Sequence, residues 1–92
     1  MKNAAAIIPA YNEEKYIGDV LSVLLPVEYL SEIIVVNDGS TDRTSEIARS
    51  FGVTVIDLPS NQGKGAAMRQ GLLHTEASVI LFLDADLIGL TS

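Results

Sequence analysis

Two aspartates near the end of the chain, Asp84 and Asp86, could bind a metal ion together. They follow an apolar run, Val79 to Leu83, whose β-branched and aromatic residues predict a short strand buried on both faces. In an open parallel sheet, ligands bind beyond the carboxyl ends of the strands. Two carboxylates at such an end can share a divalent cation, because Mg²⁺ and Mn²⁺ prefer oxygen ligands. The alternative is an acidic turn, since an isolated Asp-x-Asp is common.

A third aspartate, Asp38, also follows a short apolar run, Ile33 to Val36. An acid before a glycine, here Gly39, is a common turn, and taken alone Asp38 would be explained that way. Because parallel strands end at the same edge of a sheet, however, Asp38 is expected to lie near Asp84. That placement favours contact with a ligand.

The stretch around Pro9 is predicted to join the first strand to the first helix. Pro9 lacks an N–H and is expected to end a strand that begins at Ala4. Asn12 suits the N-cap of a helix that runs to about Leu25. Glu13 then has two interpretations, a favourable charge in the first helical turn or a ligand contact.

Three further residues have both a chemical and a structural interpretation. Tyr11 is an aromatic residue in a predicted loop, which favours contact with a ligand over burial in the core. Lys64, between two glycines, either faces an anion or is solvated; no Ser or Thr follows it, so the loop is not a Walker A motif. His74 is predicted at a helix C-terminus, where a cation is favourable, and needs no ligand to explain it.

The apolar runs alternate with helical patterns in the order β-α-β-α-β-α-β. Strands that are apolar throughout and alternate with helices are typical of a parallel sheet with helices on both faces. The sequence therefore predicts an α/β fold, a Rossmann-like three-layer sandwich with strand order 3-2-1-4. The predicted strands are Ala4 to Ile8, Ile33 to Val36, Val53 to Leu58 and Val79 to Leu83, and the predicted helices end near Leu25, Phe51 and Leu73 or His74.

Composition limits the function classes. The chain has 92 residues, which is one small domain, and its formal net charge of -6 argues against a nucleic-acid binder. It contains no Cys, so disulfides and thiolate metal sites are excluded. Neither a membrane span nor a signal peptide is recognisable, and the sequence predicts a cytoplasmic protein, with or without a peripheral membrane association.

Four motifs in order resemble a known family. They are PAYNEE, VVNDGSTDRT, NQGKGAAMRQGL and FLDADL, which span residues 9–14, 35–44, 61–72 and 82–87. Together they are similar to the nucleotide-sugar-binding half of a family 2 glycosyltransferase of the GT-A fold. Within that family they most resemble the polyprenyl- or dolichyl-phosphate sugar synthases.

The resemblance implies a role for each matching position. The loop that starts at Pro9 would line the base and ribose, Asp38 would bond the edge of the base, and Lys64 would face the phosphates. Asp84 and Asp86 would ligate Mg²⁺ or Mn²⁺. The implied nucleotide-sugar-binding residues are Pro9, Ala10, Tyr11, Glu13, Asp38, Gly63, Lys64, Asp84, Ala85 and Asp86.

The resemblance also implies the reaction. An inverting transferase of the EC 2.4 class would move a sugar from a UDP- or GDP-sugar to a lipid-phosphate or small-molecule acceptor. In this family the general base and the acceptor site follow the D-x-D half, so they are expected beyond Ser92. Residues 1–92 are thus expected to be a truncated donor-binding part, inactive alone, whose edge strand is covered by self-association or by the missing half.

Two other classes stay open at this point. Phe82 to Asp86 also resembles the first motif of a haloacid-dehalogenase-type phosphatase, in which the first Asp is a nucleophile. That motif normally opens its fold on the first strand, and Ile88 stands where Thr or Val is usual. The other class is a non-catalytic module that binds a nucleotide sugar or oligomerises.

Overall fold

A computed structural model of the chain describes residues 3–85, which form one parallel sheet with helices on both faces. With the strands numbered along the chain, their order in the sheet is 3-2-1-4, as predicted. Asp86, one of the two predicted metal ligands, lies outside the described residues. The elements are β1 (Ala4–Ala10), α1 (Ile17–Leu24), β2 (Glu32–Asn37), α2 (Thr44–Ser50), β3 (Thr54–Asp57), α3 (Lys64–Leu73) and β4 (Val79–Phe82).

The two central strands, β1 and β2, divide the core into two layers. Alternate side chains of a strand point to opposite faces of the sheet, so Ile8 and Val35 pack with α1 and α2. Their neighbours Ile7 and Ile34 pack instead against α3, through Ala67. Both strands are buried on both faces for this reason, which is why β1 is apolar throughout and β2 is apolar between Glu32 and Asn37.

Helix α3 lies close to the sheet because it presents small residues to it. A Cβ at Gly71 would lie 2.5 Å from Cγ2 of Ile7, which is itself fully buried. Only a residue without a side chain fits at this crossing.

The prediction that Pro9 ends the first strand is wrong, because β1 continues to Ala10. The amide of Leu83 donates to the carbonyl of Ile7 at 3.1 Å, so Ile7, and Pro9 two residues later, turn their backbone polar groups towards β4. Strand β4 ends at Phe82, opposite Ile7. The N–H that Pro9 lacks therefore has no strand partner to lose, and the proline is tolerated in a central strand.

Helix α1 begins at Ile17, several residues later than predicted. Asn12 has a φ of 54°, in the left-handed region, so it is not an N-cap. The carbonyl of Glu13 accepts the amides of Tyr16 and Ile17, which makes a turn before the helix. The interpretation of Glu13 as a first-turn charge is therefore wrong; Asp19 is the acid in that turn.

Helix α2 begins at Thr44, although Ser40 and Thr41, residue types common at N-caps, precede it. The carboxylate of Asp42 accepts the backbone amide of Thr44 at 3.0 Å instead, and this satisfies one of the amides that a helix start leaves unpaired. Gly52 follows the helix with a φ of 78°, the left-handed conformation that glycine commonly adopts just after a helix C-terminus.

Strand β4 is the edge of the described sheet and is only half buried. Val79, Leu81 and Phe82 are about 40% exposed, so the prediction of a strand buried on both faces is wrong here. The expectation that β4 lies at an edge holds among residues 3–85, and what covers this edge stays a prediction. None of the helices in this range is long and apolar enough to span a bilayer.

Candidate functional site

An open cleft of about 280 Å³ lies at the carboxyl ends of the strands. Four separate stretches of the chain contribute to it: the end of β1 with the loop after it, the residue after β2, the loop before α3 with the first residue of that helix, and Asp84 beyond β4. In doubly wound sheets this edge is where ligands bind. The cleft is lined by Pro9, Ala10, Tyr11, Glu13, Asp38, Asn61, Gly63, Lys64 and Asp84.

Among residues 3–85, the cleft brings together all of the predicted site residues except Ala85. Ala85 is fully buried and belongs to the core cluster on the α1 and α2 side of the sheet. Its side chain is therefore part of the core and not of the cleft lining, and its contact with a nucleotide sugar stays a prediction. Asp86 lies outside residues 3–85, so its predicted role is neither supported nor contradicted.

The carboxylate of Asp38 binds the loop that precedes α3. Its Oδ1 accepts the amide of Gln62 at 2.7 Å, and its Oδ2 accepts the amide of Gly63 at 2.9 Å and the side-chain amide of Asn61 at 3.2 Å. Asp38 is only 3% exposed. Since a carboxylate offers about four acceptor positions, roughly one remains for a ligand. Asp38 therefore holds the loop before α3, which a simple turn residue would not do.

Gly39 lets the loop after β2 approach the loop before α3. Its φ of 74° is in the left-handed region, and a Cβ there would lie 2.5 Å from the backbone nitrogen of Asn61. A side chain would therefore be both strained and in collision with backbone atoms. This close approach places the Asp38 carboxylate within hydrogen-bond distance of its three donors.

An ion pair joins Lys64, which is predicted to face the phosphates, to Asp84, which is predicted to bind a metal. Nζ of Lys64, at the start of α3, lies 2.6 Å from Oδ2 of Asp84, just beyond β4. The two side chains are 58% and 42% exposed, so solvent screens the attraction and the pair adds little stability. Its consequence is local, because it places one positive and one negative charge side by side at the cleft wall.

The described residues offer an incomplete metal site. No cluster of three or more His, Cys, Asp or Glu side chains suited to a metal occurs among residues 3–85. Asp84 supplies oxygen ligands of the kind that Mg²⁺ and Mn²⁺ accept, but it is paired with Lys64. A cation here would need oxygens from Asp86 or from a bound phosphate as well.

Tyr11 and Glu13 form the wall of the cleft that follows β1. Tyr11 is 46% exposed, so its ring is accessible from the cleft. Glu13 also lines the cleft, and its backbone amide donates to Oγ1 of Thr44 at 2.9 Å. An exposed aromatic ring can stack on a planar base. A carboxylate beside it can accept a hydrogen bond from a sugar hydroxyl.

Sequence reasoning assigned no role to Asn61, which lines the cleft and bonds both Asp38 Oδ2 and the Asp38 carbonyl. The available signal was its place at the start of the Asn-Gln-Gly-Lys-Gly stretch. Asn in such a loop commonly bonds nearby backbone. Which distant aspartate it would meet is set by the fold, and local sequence does not contain that information.

A polar network supports the end of β2 just behind the cleft. The side chain of buried Asn37 donates to Oδ1 of Asp57 at 2.9 Å, and Arg49 forms an ion pair with the same carboxylate. Burial alone would raise the pKa of Asp57, but the hydrogen bonds from Asn37, Ser45 and Arg49 hold it below its usual value. Asp57 is therefore a structural acid.

His74 follows the last turn of α3, and its Nδ1 lies 3.0 Å from the carbonyl oxygen of Gln70. This contact agrees with the helix-end interpretation of His74. The haloacid-dehalogenase interpretation fares less well, because Asp84 follows β4 and β4 is an edge strand of the described sheet.

Comparison with known proteins agrees with this geometry. Residues 5–89 match the sequence model of the family described as "Glycosyl transferase family 2". A curated relative, 4,4'-diaponeurosporenoate glycosyltransferase of Staphylococcus aureus (strain bovine RF122 / ET3-1), is 43% identical over 90 residues, covering 92% of this chain and 24% of the relative.

Solved structures give the same result. Glucosyl-3-phosphoglycerate synthase from Mycobacterium tuberculosis in complex with UDP superposes with a TM-score of 0.84 at 33% identity, over 94% of this chain and 34% of that one. The same enzyme with Mn²⁺, UDP-glucose and phosphoglyceric acid gives a TM-score of 0.83 at 30% identity, over 91% and 33%. The chain thus spans about a quarter of the curated relative and a third of these structures. On the match over nearly its whole length, the chain belongs to glycosyl transferase family 2.

Proposed function

We propose that this chain forms the nucleotide-sugar-binding part of an inverting glycosyltransferase. The observation that carries the proposal is the cleft, in which residues from four distant motifs line one cavity at the carboxyl end of the sheet. Each motif supplies a different chemistry: an aromatic ring, a buried carboxylate, a lysine and an exposed carboxylate. A nucleoside diphosphate sugar is a ligand that uses all four.

The proposed donor is a UDP-sugar, with a GDP-sugar as the alternative. Tyr11 is proposed to stack on the base, and the acceptor position left on Asp38 would take an N–H of the base edge. Lys64 would bring its ammonium group to the diphosphate. UDP is favoured over GDP because one solved relative contains UDP in one structure and UDP-glucose in another.

Asp84 and Asp86 are proposed to hold Mg²⁺ or Mn²⁺ together with diphosphate oxygens. A divalent cation would stabilise the negative charge that grows on the departing diphosphate. Mn²⁺ is the first ion to test, since it is present in a solved relative with UDP-glucose. Lys64 would then exchange part of its contact with Asp84 for a phosphate oxygen, which keeps the charges of the wall balanced.

The remaining parts of the reaction are proposed to come from residues that are not matched in this chain. In an inverting transfer an acceptor oxygen attacks the anomeric carbon opposite the leaving diphosphate, and a base takes the acceptor's proton. Relatives are named for 4,4'-diaponeurosporenoate or bind phosphoglyceric acid, which favours a small-molecule acceptor over a lipid phosphate. Action in the cytoplasm, with or without peripheral membrane contact, stays a prediction.

Calorimetric titration tests the proposal. UDP and GDP are titrated in turn, each with Mn²⁺ and with EDTA, into a chain shown to unfold cooperatively. The expected result is binding of UDP that strengthens in Mn²⁺. Absence of binding by the folded chain to either nucleotide would contradict the proposal. Binding without sugar transfer or donor hydrolysis fits a donor-binding part and equally a non-catalytic module.

The metal contribution is tested with Asp84→Asn. We expect this variant to lose most of the gain in UDP affinity that Mn²⁺ produces, on the order of tenfold or more, because a neutral amide is a poor ligand for a hard cation. Asp19→Asn is the matched control, since Asp19 is an exposed acid on α1 away from the cleft. An unchanged Mn²⁺ effect in Asp84→Asn would remove Asp84 from the metal site.

A further inference from the structure

Two loops beside the cleft are tied together by reciprocal hydrogen bonds. We call residues 11–14 and 40–44 the loop clamp; they are far apart in sequence and run side by side where β1 and β2 end. Five of these bonds pair a backbone amide of one loop with a side chain of the other. They run from the amides of Asn12 to Ser40 (2.8 Å), Glu13 to Thr44 (2.9 Å), Glu14 to Asp42 (3.3 Å), Thr41 to Asn12 (2.8 Å) and Arg43 to Glu14 (3.0 Å).

Thr44 is the one fully buried side chain of the loop clamp. Its hydroxyl accepts the amide of Glu13 and donates to Oδ1 of Asp42, which also accepts the amide of Thr44 at 3.0 Å. Burial alone would raise the pKa of Asp42, but these hydrogen bonds lower it, so Asp42 is held as the anion that orients the hydroxyl. The hydroxyl thus joins α2 to the loop after β1.

The loop that Thr44 holds needs an external tie. Asn12 adopts a φ of 54°, a conformation that costs free energy for a residue with a side chain. The neighbouring residues Tyr11 and Glu13 line the cleft, so their position depends on how firmly this turn is fixed. Without the Thr44 hydroxyl, the Glu13 amide would lose this hydrogen bond, and the loop would lose a tie to α2.

We propose that Thr44 is a positioning residue for the nucleoside half of the donor site. It does not line the cleft; it fixes the backbone of Tyr11 and Glu13, which do. The inference rests on the proposed function and goes beyond it in one respect. According to this inference, the position of the wall formed by Tyr11 and Glu13 depends on Thr44. The position of the wall formed by Lys64 and Asp84 does not.

The first test needs no ligand. Amide hydrogen exchange is compared in the wild type, Thr44→Val and Thr44→Ser, with the amides of β1 and β2 as the reference for global unfolding. Val keeps the shape and removes the hydroxyl, whereas Ser keeps the hydroxyl. We expect exchange at Glu13 to accelerate by at least about tenfold in Thr44→Val relative to the strand amides, and by much less in Thr44→Ser. Equal protection of Glu13 in all three proteins would overturn the inference.

The second test separates the two walls. Affinity is measured for UDP and for pyrophosphate, each with Mn²⁺, under conditions where every variant is folded. We expect Thr44→Val to weaken UDP binding by on the order of tenfold and to leave pyrophosphate binding unchanged, with Thr44→Ser close to wild type. An equal loss for both ligands would indicate a general structural role and overturn the inference, and so would an unchanged affinity for UDP. A wild-type chain that binds no UDP would instead overturn the proposed function, and the inference with it.

Discussion

The carboxylate of Asp38 shows how one residue can serve the fold and the site together. It accepts three hydrogen bonds from the loop before α3, at 2.7, 2.9 and 3.2 Å, and it is almost completely buried. Each bond involves a charged acceptor and is therefore stronger than a neutral one. The loop that carries Gly63 and Lys64 into the cleft is held by these bonds, so its position depends on Asp38.

Asp38→Asn is expected to destabilise the protein by about 1–3 kcal/mol, because the new NH₂ group must face an amide donor that it cannot pair with. Urea denaturation measures the change, and Asp19→Asn, an exposed acid on α1, is the control that should stay within about 0.5 kcal/mol of wild type. A variant as stable as wild type would mean that the loop does not depend on this carboxylate.

At the scale of elements, the contact between α3 and β1 depends on Gly71. A Cβ at this position would lie 2.5 Å from Cγ2 and 3.1 Å from Cδ1 of Ile7, a buried side chain whose branched Cγ2 has little freedom to move. Gly71→Ala gains about 1 kcal/mol of helix propensity but must displace the helix or the strand, which typically costs about 1–3 kcal/mol. We expect a net loss of stability, measured by thermal or urea unfolding.

Gly65→Ala is the matched control within the same helix. A Cβ at Gly65 meets no atom within 4 Å, so the substitution gains propensity without collision. It should stabilise the protein by up to about 1 kcal/mol. If both substitutions stabilise the protein, the close approach of α3 to Ile7 is not tight enough to matter.

The order and type of every element could be predicted from the sequence, but two kinds of boundary could not. Helix α1 was expected from Asn12 onwards, and its late start at Ile17 follows from bonds between residues 12–14 and 40–44, which are about 30 positions away. Local propensity contains no information on such partners. Pro9 was misjudged for a related reason, because its missing N–H matters only if a neighbouring strand extends far enough to need it.

Most of the site was predictable because it follows from topology. Once the strand order 3-2-1-4 is inferred, Tyr11, Asp38 and Asp84 must approach each other, since parallel strands end at one edge. What each side chain does there was not predictable. Asp38 bonds a loop and Asp84 pairs with Lys64, and both contacts depend on where loops settle after the sheet has formed. The metal role of Asp86 and the place of residues 1–92 within a larger protein stay predictions.

At the scale of the whole molecule, the lowered pKa of two carboxyls predicts how stability changes with pH. The chain carries 12 acidic and 6 basic residues. Asp42 and Asp57 both have a pKa below the usual 3.8, since hydrogen bonds to the carboxylate outweigh the opposing effect of burial. A carboxyl whose pKa is lower in the folded protein than in the unfolded chain stabilises the fold above its unfolded pKa. This contribution is lost as the pH falls through the folded pKa.

We therefore expect the free energy of unfolding to fall as the pH drops below about 4, with a positive slope against pH, because the unfolded chain binds more protons there. Urea denaturation between about pH 6 and pH 2.5 measures the curve.

The double variant Asp42→Asn, Asp57→Asn should be less stable than wild type near pH 6 and show a shallower decline in acid, since both variant side chains are neutral at every pH. The two single variants should each remove part of the slope, as the two carboxylates lie in separate networks, one with Thr44 and one with Asn37 and Arg49. A double variant with the wild-type slope would show that other acids carry the acid sensitivity.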